Sequence, residues 1–72
     1  MTKNKQIGAK LQAIRRGKNI KQETVAGALG IERSAVSKIE NGRRVITAEL
    51  LVAYCHILDC TVNDVMRGVM GI

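Results

Sequence analysis

Proline, phenylalanine and tryptophan are all missing from these 72 residues, and Tyr54 is the one aromatic. Any core must therefore be aliphatic. The lack of proline suits helices joined by short turns, because no residue locks φ or removes a backbone donor. There is one histidine, His56, and there are two cysteines, Cys55 and Cys60. With a single imidazole beside them, the two sulfurs cannot build a four-ligand zinc site. A disulfide is one reading of the pair. Reduced thiols are the other and the expected one in a chain without a visible signal peptide, with Cys55 in the core and Cys60 in a turn. No apolar run approaches the roughly 18 residues a membrane-spanning helix needs, so a cytoplasmic protein without a membrane partner is expected. The chain also lacks a nucleophile–base pair, a metal-ligand cluster and a glycine loop that would cradle phosphate. It is therefore expected not to be an enzyme, and to have no cofactor, metal or small-molecule site. His56 is expected at the surface.

Acidic residues are scarce, six Asp/Glu against twelve Lys/Arg, for a net charge of +6. The imbalance is uneven. Residues 1–44 hold eleven of the basic residues and three acidic ones, a net of +8, whereas residues 45–72 hold Arg67 against Glu49, Asp59 and Asp64, a net of −2. That asymmetry points to a polyanionic partner for the first part of the chain. A solvated basic face is the plainer alternative. Hydrophobic residues make up 46%, enough for a compact fold, and the length allows one small domain over residues 1–72.

The most informative stretch is Gln22–Gly42, QETVAGALGIERSAVSKIENG. Val25, Ala26 and Leu29 share one helical face, and Gly30 follows where a helix often ends in a left-handed residue. Val36 and Ile39 form the apolar side of a second helix, with Arg33, Ser34, Ser37 and Lys38 on its other faces and Gly42 closing it after Asn41. Ala26 leaves room for the helices to cross closely. Two short helices with a polar, basic outer face on the second describe a helix-turn-helix over about residues 22–41, although any helical hairpin shares the spacing.

From Ile7 to about Met66 the chain resembles the lambda-repressor-like, Cro-type (XRE) helix-turn-helix family. The residues that carry the likeness are IGAKLQAIRRGKNIKQETVAGALGIERSAVSKIENGRR and TAELLVAYCHILDCTVNDVM. Departures are Lys21 and Glu32 where the family usually has Ser or Thr caps, and Asp59 where it usually has Gly. The resemblance implies an all-α, compact five-helix domain that binds double-stranded DNA. It also implies an ion pair between Arg15 and Glu40, and a phosphate contact from Gln22. A phosphate-contacting loop is expected at Asn41, Arg43 and Arg44. Arg33, Ser34 and Ser37 are expected to reach base edges in the major groove, Arg33 being suited to guanine O6 and N7. Lys38 stands beside them, on a base or on a phosphate.

The flanking residues complete the expectation. A helix capped by Thr2 or Asn4 runs to about Lys18, with Ile7, Leu11 and Ile14 buried and Lys10, Arg16 and Lys18 largely outside. Gly27 costs its helix up to about 1 kcal/mol against Ala, which predicts close packing there. Val45 and Ile46 return the chain to the core. Thr47 caps a helix over about Ala48–Leu58, with Leu51, Val52, Tyr54, Cys55 and Leu58 on its buried side. Thr61 and Asp64 form a capping-box-like pair for a last helix over about Val62–Arg67. The apolar tail exceeds what four helices need, which predicts a homodimer through residues 48–72, with Leu50, Ile57, Val65, Met66, Val69, Met70 and Ile72 at the interface. Packing of the tail onto its own domain is the alternative. The function expected is that of a sequence-specific transcriptional regulator on a pseudo-palindromic operator, such as a phage repressor or a restriction–modification controller. An antitoxin-type interaction module that also autoregulates is the runner-up.

Overall fold

Apolar residues three and four apart recur along the whole chain, and the helices follow them. The computed structural model describes residues 3–69. Its helices are α1 Lys3–Gly17, α2 Gln22–Leu29, α3 Arg33–Glu40, α4 Ala48–Leu58 and α5 Val62–Met66. No strand occurs among the described residues, and the expected all-α, five-helix architecture is the one observed. α1 and α2 pack on α3, while α4 lies against α1 and α2, and α5 against α1 and α4. Leu11, Val25, Val36, Ile39, Tyr54, Leu58 and Val65 are fully buried where these helices meet. Each such side chain contributes on the order of 1.5–3 kcal/mol of burial energy.

Local chemistry sets the helix ends. Lys21 and Glu32 stand before α2 and α3 without a side-chain cap bond, and Glu23 partly offsets this at the positive end of α2. Gly30 ends α2 at φ 71, and the Ile31 N–H turns back to the Ala26 carbonyl at 3.0 Å. Thr47 accepts the Leu50 N–H at 3.1 Å. Thr61 and Asp64 exchange bonds of 2.9 and 3.0 Å, a complete capping box. Asp59 ends α4 in the left-handed region at φ 54. The Lys18 ammonium donates to the Leu58 carbonyl at 2.5 Å and the Asp59 carbonyl at 2.9 Å, tying the end of α1 to the negative end of α4.

Several expectations are corrected. Asn4 lies inside the first turn of α1, so it does not cap it; Thr2 lies outside the described residues. α5 stops at Met66, one residue early. Val45 is 70% exposed and leaves the return to the core to Ile46 alone. Val52 is 57% exposed, because two residues before Tyr54 it points about 200° around the helix from it. The close helix approach is at Gly8, not Gly27. A Cβ on Gly8 would sit 2.2 Å from the Ile39 carbonyl oxygen, whereas one on Gly27 would meet open space. Gly8 and Gly42 together let α1 lie against the end of α3; Gly42 takes φ 73 and faces Lys5 at a distance that leaves no room for a side chain.

Candidate nucleic-acid interface

The α2–α3 unit is held from beneath by one buried carboxylate. Glu40, the last residue of α3, is 3% exposed and Arg15 of α1 is 6% exposed. Arg15 Nε donates to Glu40 Oε2 at 2.7 Å and Nη2 to Oε1 at 3.0 Å, in the forked geometry that suits guanidinium and carboxylate. Its Nη1 donates to the Ile20 carbonyl at 2.7 Å, fixing the turn between α1 and α2. Tyr54 Oη donates to Glu40 Oε2, and Gln22 Nε2 to Oε1 at 3.0 Å. α1, α2, α3 and α4 thus all meet at this carboxylate.

The protonation equilibria follow from that arrangement. Burial pushes the Glu40 carboxyl up, but the bonds from Arg15, Tyr54 and Gln22 outweigh it and hold the group below its ordinary value. The hydrogen bond to Glu40 outweighs burial and raises Arg15. Burial, and then the bond to Glu40, hold the Tyr54 phenol well above its ordinary range. Glu40 is therefore a buried anion and Tyr54 a neutral donor. No buried side-chain nitrogen or oxygen is left without a partner among the described residues.

Above this base lies the polar face. Gln22 spends one amide hydrogen on Glu40, which turns its Oε1 toward Arg33 Nη1 at 3.4 Å. The Arg33 side chain is 64% exposed, with its Nε 4.0 Å from Glu23 Oε1. Ser34 is exposed, its Oγ 3.4 Å from Glu32 Oε2. Asn41 Nδ2 lies 3.4 Å from the Oγ of the half-buried Ser37. Lys38, Arg43 and Arg44 are exposed. The structure thus brings Gln22, Arg33, Ser34, Ser37, Lys38 and Asn41 onto one helix pair, with Arg43 and Arg44 following directly.

The expected dimer residues divide differently. Val65 and Val69 are buried in the chain's own core, at 0% and 6% exposure, so their assignment to an interface is corrected. Leu50, Ile57 and Met66 pack half-buried against that core; Met70 and Ile72 lie outside the described residues. The exposed large apolar side chains among the described residues are instead Val45, Val52 and Val62, and Val45 lines an open groove of about 330 Å³ together with Leu29, Arg44, Thr47, Glu49, Leu50 and Ala53. His56 is exposed. Two features were missed from the sequence. Tyr54 was placed in the core but not in the carboxylate network, although a buried phenol needs a partner and this is the only aromatic. The capping role of Lys18 depends on the arrival of α4, forty residues later, and left no local signal.

Comparison with known proteins decides the family. The family model described as helix-turn-helix matches residues 11–65, which hold the second half of α1, all of α2, α3 and α4, and most of α5. The chain belongs to this helix-turn-helix family. Within it, the chain is 33% identical over 63 residues to the HTH-type transcriptional activator BcrR of Enterococcus faecalis, covering 88% of this chain and 31% of BcrR. It is equally 33% identical over 63 residues to the ImmF control region 10 kDa protein of Bacillus phage phi105, covering 88% of this chain and 70% of that protein. The chain therefore spans about a third of BcrR and most of the phage protein. Among solved structures, the clp gene regulator ClgR of C. glutamicum superposes with a TM-score of 0.92 at 30% identity, over 99% of this chain and 92% of that one. The restriction-modification controller protein C.AhdI of Aeromonas hydrophila gives 0.79 at 28% identity, over 85% and 92%. By their names, BcrR is a transcriptional activator, ClgR a gene regulator and C.AhdI a controller protein. No helix among the described residues is long and apolar enough to cross a membrane.

Proposed function

We propose that the protein is a sequence-specific transcriptional regulator that binds a pseudo-palindromic operator as a homodimer. The observation that carries this reading is the polar outer face of α3, presented on a helix whose inner end is fixed by the buried Glu40. A rigid recognition helix of eight residues fits the major groove with its first turn toward the base edges. Arg33 then reads a guanine and Ser34 and Ser37 add contacts, with Lys38 at the border between base and phosphate. Gln22 retains a second amide hydrogen for phosphate, and Asn41, Arg43 and Arg44 hold the backbone and set the register.

The homodimer reading rests on the groove at the start of α4. Val45, Leu50 and Ala53 offer apolar area in that groove, and Val52 adds an exposed apolar side chain on α4. A two-fold pair would lay this groove of each chain against the other, because such an interface is self-complementary. The operator half-sites would then lie about one helical turn, roughly 34 Å, apart. A cytoplasmic location goes with a DNA partner, and residues 1–72 act as one domain in this reading. Stoichiometric titration of a cognate duplex, followed by sedimentation, tests it. Two chains per duplex are expected; one chain per duplex contradicts the dimer.

A further inference from the structure

The end of α4 carries two thiols that the DNA-binding reading does not use. α4 closes with Asp59 in the left-handed region, and the Cys60 N–H returns to the Cys55 carbonyl at 3.0 Å. In this kind of helix ending, the residue two positions past the helix folds back over the residue one turn inside it. Here those residues are Cys60 and Cys55, two free cysteines that this backbone bond brings side by side. Cys55 is 3% exposed, while Cys60 is half-buried and keeps access to solvent.

We propose that Cys55 and Cys60 are a reversible redox modification site, closing to an intramolecular disulfide by exchange with a small disulfide of the glutathione class. Cys60, the accessible partner, gives its proton to solvent and attacks one sulfur of oxidised glutathione. The glutathione S–S bond breaks, a Cys60–glutathione disulfide forms, and one glutathione thiolate leaves and takes up a proton. Cys55 then loses its proton to solvent, and its Sγ attacks the Cys60 sulfur and expels the second glutathione thiolate, which is protonated in turn. Two protein thiols are oxidised by two electrons, and one glutathione disulfide is reduced to two thiols. Burial, and then the neighbouring Cys60, push the Cys55 thiol up to about 12, so the second exchange is the slower step. The bond formed staples the last turn of α4 to the connector leading into α5, whose Val65 completes the core.

The test equilibrates the full chain in glutathione buffers of rising oxidised fraction, quenches with acid, alkylates, and counts free thiols by intact mass. Both thiols are expected to be labelled in reducing buffer and neither in oxidising buffer, independent of protein concentration and reversed by dithiothreitol. Cys55→Ala should keep glutathione on Cys60, whereas wild type should shed it. Cys60→Ser should leave the buried Cys55 unreacted. If Cys55→Ala does not fold, the wild-type count and Cys60→Ser decide the matter. Thiols that stay free throughout, a glutathione adduct that persists on wild type, or a crosslink between chains overturns the proposal.

Discussion

Arg15 and Glu40 are 25 residues apart in the chain and joined by two hydrogen bonds, of 2.7 and 3.0 Å, in the buried space between α1 and α3. The pair fixes the inner end of α3 to the longest helix of the fold, and Gln22 and Tyr54 bring α2 and α4 to the same carboxylate.

Removing one partner strands the other. Arg15→Ala leaves a buried carboxylate without its counter-charge and should cost about 3–5 kcal/mol of stability. Tyr54→Phe removes one donor to a charged acceptor while keeping the ring, and should cost about 1.5–3 kcal/mol. Chemical denaturation measures both. A loss below about 1 kcal/mol for Arg15→Ala would mean that water replaces the guanidinium, contrary to the burial seen.

The same network predicts a stability profile that falls off on both sides of neutrality. Glu40 is held below its ordinary 4.5, so the folded state binds its proton more weakly than the unfolded chain. The contribution is full above about pH 4.5 and is lost as acid protonates the folded carboxylate. Tyr54 is held above its ordinary 10.0, so its contribution is full below pH 10.0 and fades as the pH rises toward the folded value. Thermal melts across pH check both arms. Tyr54→Phe should flatten the alkaline arm, and an unchanged arm would assign it to other groups.

Two helical glycines should respond in opposite directions to alanine. Gly8→Ala drives a methyl into the Ile39 and Glu40 carbonyls and should destabilise by about 1–3 kcal/mol, in the range of overpacked cores. Gly27→Ala meets open space and should stabilise by about 0.5–1 kcal/mol. Urea midpoints of the two variants give the comparison. Equal signs would mean that the α1–α3 approach is looser than described.

DNA binding separates the two arginine roles. Arg33→Ala should lose about 1–3 kcal/mol on the best site and relax preference at one base position. Arg43→Ala should weaken all duplexes alike and reduce the magnitude of the salt slope by about one. Binding titrations over a range of salt, on cognate and scrambled duplexes, read both. A uniform loss from Arg33→Ala would make it a phosphate contact.

Much of this molecule is legible in its sequence, for identifiable reasons. The bounds of α2, α3 and α4 follow from apolar spacing, from Gly30 and from Thr47, all of which act within one turn. The family likeness pairs Arg15 with Glu40, and the structure joins them by two hydrogen bonds. What stayed hidden depends on where distant elements arrive. Gly8 reads as an ordinary helical glycine until the end of α3 is laid against it, and Lys18 as a surface charge until α4 ends beside it. α4 is apolar on more than one side, so periodicity alone could not assign Val52 to solvent or deny a partner Val65 and Val69 from α5 and the segment after it. The polar face of α3 was legible as a set of residues. Its coupling through Gln22 to Glu40 was not, because a glutamine at a helix start gives no sign of which way its amide turns.

The central claim is that α3 reads DNA sequence in a paired, two-fold arrangement. Selection of bound sites from a random duplex pool, using the full chain at moderate salt, tests it most directly. The account predicts an enriched inverted repeat with half-site centres about 10 base pairs apart, whose symmetry survives in Arg33→Ala while one position in each half loses its preference. A pool that enriches no sequence, or a single unrepeated site, would contradict it.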